Sequence, residues 1–273
     1  MTGPLTNISP WRYPGGKTWL IPRLRSWLSD LPPVATFIEP FAGGASCVLA
    51  VAHERLASTV VLGEIDPHVA AVWKVLINGS DDDVTWLCER IADMVVTPDS
   101  VRTVLDAEPT DLRETAFRAL LHNRCSRGGL TSARAGLLKA GERGNGISSR
   151  WYPETLVHRI ELIHSLDNLF FRFGDAFDLI TQFSRDTDKV FFVDPPYSIG
   201  SKSAGSRLYR HHELDHERLF SVCADLSGPV MMTYPDDPEV RRLAERYGFE
   251  VESVPMRSTH HVEHFELLLT KTQ

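Results

Sequence analysis

Short, nearly unbroken apolar runs alternate along the chain with stretches in which apolar residues recur every three or four positions. Thr36–Glu39, Thr59–Gly63, Leu169–Phe173, Val190–Val193 and Pro229–Thr233 are the runs. Each is short and bounded by Gly, Pro or acidic residues, as buried strands are. The helical windows Ala45–Arg55, Pro67–Ile77, Phe177–Phe183, Leu214–Leu226 and Pro238–Tyr247 follow them in turn. Strand–helix alternation of this kind predicts an α/β fold with a mostly parallel, doubly wound sheet. Phe249–Val254 and His264–Thr270 have no long helix between them and predict an antiparallel hairpin closing one edge.

The alternation fails between Asn78 and Asp167. The pattern there is helical over 83–95, 111–124 and 153–166, around a Gly-, Ser- and Arg-rich loop from Cys125 to Arg150. A loop of that length inside a compact domain is functional or disordered. Residues 78–167 are therefore expected to be a mainly helical insertion in a domain formed by 1–77 and 168–273. No internal repeat is visible.

Composition changes this picture little. At 273 residues, with 42% apolar and 24% charged residues, the chain suits one large α/β domain or one domain carrying an insertion. It has no apolar run long enough to span a bilayer and no signal peptide in its first ten residues, so no membrane is expected. Cys47, Cys88, Cys125 and Cys223 stand far apart, which argues against a zinc knuckle or disulfide framework and suits a reducing cytoplasm. The eleven histidines show no metal-ligand spacing, and no metal is expected. Net charge is −7, yet Asp111–Arg159 carries nine Lys/Arg against four Asp/Glu, and Gly200–His212 has Lys202, Arg207 and Arg210 with no acid. An acidic body with two basic segments fits a protein that meets a polyanion at one face; solvated surface charge is the alternative.

Candidate chemistry begins at R-Y-P-G-G-K-T, Arg12 to Thr18. Its Gly-Lys-Thr ending matches a phosphate-binding loop, but the first glycine of that motif should stand where Trp11 does, and no strand precedes it. Nucleotide hydrolysis is disfavoured accordingly. In F-I-E-P-F-A-G-G-A-S, Phe37 to Ser46, a strand ends in an acid and a paired-glycine turn leads to a helix. Such a turn lets a ligand approach the backbone, although the strict dinucleotide fingerprint is absent. L-G-E-I-D-P-H, Leu62 to His68, puts acids beyond the next strand, where they suit ribose hydroxyls. The most informative string is V-F-F-V-D-P-P-Y-S, Val190 to Ser198. An apolar strand delivers Asp194, Pro195, Pro196 and Tyr197 at its C-terminal end, where ligands bind in open α/β sheets. Asp194 is an acceptor, Pro195 offers a carbonyl without an N–H, and Tyr197 offers an aromatic face. Two acceptors beside a stacking surface suit a planar ring bearing an exocyclic NH₂.

D-P-P-Y, E-P-F-A-G-G and Y-P-G-G-K together resemble the Dam-type (D12 class) DNA adenine N6-methyltransferase family. The resemblance implies a Rossmann-like AdoMet-dependent methyltransferase sheet, mostly parallel with an antiparallel C-terminal strand, and an inserted target-recognition domain. It implies S-adenosyl-L-methionine as cofactor, double-stranded DNA as partner with no obligate protein partner, and a cytoplasmic, bacterial or phage-encoded enzyme. The segments matching the family's cofactor site place Tyr13, Lys17, Glu39, Pro40, Phe41, Gly43, Gly44, Ser46, Glu64, Asp66, Asp175, Ala176, Phe177 and Asp194 around the methyl donor. Glu64 stands where the family usually has Asp, so either it or Asp66 would bind the ribose. Asp194, Pro195, Pro196 and Tyr197 would be catalytic. H-N-R-C-S-R-G-G-L resembles a stretch that meets DNA, giving Asn123, Arg124, Arg127 and Arg134 as DNA contacts, with Lys202 from the second basic segment. Methylation of another planar amine (cytosine N4, an RNA base, a protein amide) and a non-catalytic DNA-binding role stay open as rivals.

Overall fold

A computed structural model describes residues 8–12, 16–127, 136–139, 144, 146–196, 214–257 and 263–272. The expected strands are present: β1 (Thr36–Glu39), β2 (Thr59–Glu64), β3 (Leu169–Phe173), β4 (Lys189–Val193), β5 (Val230–Pro235), β6 (Glu250–Arg257) and β7 (Glu263–Lys271). They form one sheet in the order β3-β2-β1-β4-β5-β7-β6. β3, β2, β1, β4 and β5 run parallel to one another, whereas β7 runs antiparallel between β5 and β6. The expected mostly parallel, Rossmann-like sheet with an antiparallel C-terminal strand is thus borne out. The terminal hairpin does more than close the edge, because its second strand enters the sheet and its first becomes the edge.

Strand side chains divide between two faces with the period of two that a pleated strand imposes. Phe37, Val60, Val190 and Phe192 enter one apolar core, while Ile38, Val61, Phe191 and Val193 enter the other. Helices α1 (Ile21–Ser29), α2 (Ser46–His53), α3 (Pro67–Trp73), α4 (Asp81–Ala92), α5 (Pro98–Asp106), α6 (Leu112–Cys125) and α7 (Pro153–His164) contribute to the first core. Helices α8 (Ala176–Gln182), α9 (His216–Ala224) and α10 (Pro238–Tyr247) pack on the second. α1 and α5 were not expected from the sequence. α3 runs into a π-helical turn, Lys74–Asn78, before the chain turns into α4.

Helices α4–α7 fill the 78–167 stretch that interrupts the strand–helix alternation. Leu87, Ile91, Val101, Phe117, Leu120, Ile160 and Ile163 belong to the same buried cluster as Phe37, Val48 and Val60 of the sheet layer. Apolar burial is therefore continuous from the sheet into these helices. Among the described residues no helix is long and apolar enough to cross a membrane.

Candidate active site

In the order β3-β2-β1-β4-β5, the chain leaves β1 toward β2 and leaves β4 toward β5. The resulting crevice between β1 and β4, at the carboxyl ends of the strands, is where open α/β sheets bind ligands. Glu39 ends β1 and Asp194 follows β4 there.

The turn after β1 is tightly built. Gly43 has φ 47° and Ala45 φ 56°, and Ala45 N–H donates to Ala42 O at 2.6 Å. A left-handed alanine costs about 1 kcal/mol, and such strain is tolerated where the surrounding structure fixes it. Here Trp73 Nε1 donates to Gly43 O at 3.2 Å and Ala42 N–H donates to Gly63 O at 2.9 Å. A Cβ on Gly63 would lie 2.8 Å from Leu179 Cδ2 and 3.0 Å from Pro40 O, so glycine on β2 lets the Pro40 turn sit against it. Buried Glu39 accepts from Val48 N–H at 2.8 Å, fastening β1 to the start of α2.

Lys17 does not behave as a phosphate-loop lysine. Its backbone N–H donates to Ser46 Oγ at 3.2 Å, and a single 3-10 turn, Thr18–Leu20, separates it from α1. Its side chain is buried, with Nζ 3.1 Å from Asp194 Oδ1 and 3.6 Å from Glu266 Oε2. Thr233 on β5 donates its hydroxyl to the same Asp194 Oδ1 at 2.6 Å. Asp194 Oδ1 is thus held by a cation and a hydroxyl. Glu266 was not singled out from the sequence; the antiparallel return of β7 pairs it with Pro235 and brings it to Lys17.

Burial holds the Glu39 carboxyl well above the usual carboxylate range, with repulsion from Asp194 adding to it. Burial likewise raises Glu266, against the lowering effect of Lys17. Cys47, whose thiol donates to Lys17 O at 3.7 Å, is held well above the ordinary thiol range by burial and then by the charge of Glu39. It is an inert thiol at neutral pH. Lys17 is thus the cation that faces Asp194 and Glu266 and lowers the buried Glu39 as well.

At the end of β2, Glu64 Oε1 accepts from Ile65 N–H and Asp66 N–H, both at 2.8 Å, and Oε2 accepts from Gly43 N–H at 3.1 Å. Desolvation raises its pKa to about 7, against the lowering effect of the Asp66, Ile65 and Gly43 amides. Asp66 caps α3 through His68 N–H at 2.8 Å. Asp175 caps α8 in the same way through Phe177 N–H at 2.7 Å, just after Gly174 at φ 154°. Ala176 and Phe177 are buried behind it, with the Arg218 guanidinium 4.3 Å from the Phe177 ring.

The structure therefore assembles Lys17, Glu39, Ser46 and Asp194 in one cluster, joined by the Gly43 turn to Glu64 at the neighbouring strand end. Pro195 is buried and Pro196 half-buried beside Asp194, and Phe41 and Gly44 are half-buried at the turn after Pro40. Tyr13, Tyr197, Arg134 and Lys202 lie outside the described residues. The other members of the basic segment divide between exposed and buried positions. Arg127 is exposed at the base of a small antiparallel ladder, where its N–H donates to Gly136 O at 3.0 Å and Leu138 N–H donates to Cys125 O at 2.8 Å. Asn123 and Arg124, expected to contact DNA, are instead 0% and 4% exposed, with their side chains turned to the backbone of Pro10 and Arg12. Arg150 donates to Ser126 O at 3.2 Å. Among the described residues no group of His, Cys, Asp and Glu could hold a metal ion.

A strand-end carboxylate fixed beside a glycine turn in a Rossmann-like sheet is the setting of a nucleoside-cofactor site. Residues 13–131 match the model of the D12 class N6 adenine-specific DNA methyltransferases, which bears out the resemblance drawn from the motifs. The chain is 24% identical over 243 residues to the Type II methyltransferase M.CviBI of Paramecium bursaria Chlorella virus NC1A, spanning 86% of each protein. Among solved structures it is similar to the rRNA methyltransferase aviRa from Streptomyces viridochromogenes, with 14% identity, 99% of this chain and 90% of that one covered and a TM-score of 0.43. It is also similar to magnesium protoporphyrin IX methyltransferase (ChlM) from Synechocystis PCC 6803, with 10% identity, 93% and 79% covered and a TM-score of 0.37. The family match and the viral relative support a methyltransferase acting on DNA.

Proposed function

We propose that this chain transfers a methyl group from S-adenosyl-L-methionine to N6 of an adenine turned out of double-stranded DNA. The observation that carries the reading is Asp194, delivered by β4 to the crevice beside Glu39, with its Oδ1 held by Lys17 and Thr233. When bound, the cofactor supplies an electrophilic methyl on a sulfonium cation. The chain's own task is then to hold an amine in line with that methyl, where positioning supplies most of the acceleration.

Asp194 accepts one N6 hydrogen and the Pro195 carbonyl accepts the other. The nitrogen lone pair is drawn out of conjugation with the ring, and the positive charge growing on nitrogen meets a fixed carboxylate. Lys17 and Thr233 engage Oδ1 and so fix the carboxylate that meets the amine. An adenine inside a duplex cannot reach such a crevice, so flipping is required, at a cost of a few kcal/mol. Tyr197 is the proposed stacking surface.

The residues present fit the methyl donor. Gly44, half-buried in the turn after β1, carries no side chain to keep a methionine moiety from the backbone. Glu64 Oε2 accepts one amide and keeps a lone pair for a ribose hydroxyl, whereas Asp66 caps α3. We assign the ribose to Glu64 on that ground, with Asp175, Ala176 and Phe177 at the cofactor's adenine. Arg127, Arg134 and Lys202 are the proposed DNA contacts.

A pH dependence follows from the Glu64 assignment. Ionised carboxylate is the better acceptor for a hydroxyl, and Glu64 is protonated below about 7 in the free protein. Cofactor affinity measured by calorimetry should therefore rise several-fold between about pH 6 and pH 8. Glu64→Gln should weaken binding and flatten that dependence. A wild-type affinity independent of pH would remove Glu64 from the ribose site.

The reaction itself is tested with methyl-labelled cofactor and DNA from a host lacking adenine methylation. After hydrolysis of the DNA, label in N6-methyladenine supports the reading. Label in N4-methylcytosine, or none from protein that binds the cofactor, contradicts it.

A further inference from the structure

The segment Ile8–Arg12 joins no strand, yet it is buried. Ile8 and Trp11 insert into the core shared by the sheet and the helices. Buried backbone groups need partners, and here side chains supply them. Arg159 Nη1 on α7 donates to Ser9 O at 2.8 Å. Arg124 on α6 donates to Pro10 O from Nε at 3.0 Å and also from Nη2. Asn123 Oδ1 accepts from Arg12 N–H at 2.9 Å, while its Nδ2 donates to Arg12 O at 3.0 Å. One amide side chain thus satisfies both polar groups of a single residue, as a neighbouring strand would.

Five residues after Arg12 comes Lys17, whose ammonium reaches Asp194 at 3.1 Å. The same end of α6 carries Ser126 and Arg127, the base of the loop read as the DNA contact. One helix end therefore holds both the segment leading to Lys17 and the root of the DNA loop.

We propose that Asn123 and Arg124 are positioning residues that set Lys17 against Asp194 through the N-terminal segment, and not contacts to the DNA polyanion. This rests on the methyl-transfer reading above. The guanidinium of Arg124 stays cationic at neutral pH even though burial and the nearby Arg159, Arg12 and Arg150 lower its pKa to about 10. Its charge is turned inward onto the Pro10 carbonyl oxygen, where a phosphate does not reach it.

The two roles separate in kinetics and in salt dependence. With the full chain, cofactor and unmethylated genomic DNA, Asn123→Asp and Arg124→Met should lower kcat by about 10- to 100-fold, the scale of a catalytic group misplaced by roughly 1 Å. DNA affinity and the slope of log affinity against log salt should remain those of the wild type. Arg124→Lys, which restores one donor, should recover part of kcat with the same slope. Cofactor binding by each variant verifies its fold, and Asn123→Asp decides the matter if Arg124→Met does not fold. An unchanged kcat at saturating DNA, with a salt slope flatter by about one in Arg124→Met, would overturn the proposal and restore Arg124 as a phosphate contact. If the wild type transfers no methyl group to DNA, the methyl-transfer reading fails instead, which the variants do not confuse with failure of the positioning role.

Discussion

Replacing Asp194 with alanine should reduce methyl transfer by about 10³-fold or more while cofactor affinity changes little. The carboxylate meets the amine and the charge that develops on it, so its loss falls on the chemical step. The cofactor's adenosine and methionine parts are assigned to Glu64, Asp175 and the Gly43 turn, none of which depends on Asp194 for its hydrogen bonds. Single-turnover transfer and calorimetric cofactor binding measure the two separately. Asp194→Asn is the sharper variant, because it keeps the size and one acceptor oxygen. It should still be severely impaired, since the amide carries no charge to offset that on the amine. Transfer within a few-fold of wild type in either variant would remove Asp194 from the mechanism.

Lys17→Met should be the most damaging single change to both stability and activity. Lys17 is the cation shared by buried Asp194 and Glu266, and it also lowers the pKa of Glu39. Removing one partner of a buried ion pair costs roughly 3–5 kcal/mol, and the lower end applies here because the Asp194 side chain is 22% exposed. The deficit should depend on pH with a definite sign. Burial raises Glu39 and Glu266 in the folded state, so above the ordinary carboxylate range the folded protein binds more protons than the unfolded chain. The strain on these carboxylates is then greatest at high pH and relaxes as pH falls through their raised folded values. Thermal melts should show the gap between Lys17→Met and wild type widest near pH 8 and narrower toward pH 6. A gap that widens on acidification would mean that Lys17 is not the counter-ion of this cluster.

The strands were legible because each is a short apolar run closed by Gly, Pro or an acid, and the helices after them because their apolar residues repeat at helical spacing. Helix α5 was missed because Val101 is its one buried residue, too little to form a periodic stripe. Helix α1 has an ordinary helical spacing in its buried Ile21, Leu24 and Leu28, but no side-chain N-cap marks its start, which follows a 3-10 turn directly after the Gly-Gly-Lys segment. The sheet order has no local signature at all: nothing in Phe249–Thr270 says that β7 rather than β6 pairs with β5.

That pairing is what hid Glu266. Within H-F-E-L-L-L-T it reads as one polar position in an alternating strand, and only the antiparallel return places it at Lys17. The burial of Asn123 and Arg124 was hidden for the opposite reason. Their types and their basic surroundings suggested DNA, but their position on α6 faces the backbone of Pro10 and Arg12, to which their side chains bond. A buried arginine paired with carbonyls and an exposed one facing phosphate are alike in sequence. By contrast, Asp194, Glu39 and Glu64 were legible as candidates because each stands at or just after the end of an apolar strand, where open α/β sheets bind ligands.

Expression in a bacterial host free of adenine methylation, followed by sequencing that reports N6-methyladenine in its context, tests the proposed reaction most directly. The expected result is N6-methyladenine at one recurrent sequence motif, lost when Asp194→Ala replaces the wild type. A genome without modified adenine, from protein shown to bind S-adenosyl-L-methionine, would contradict transfer to adenine in DNA.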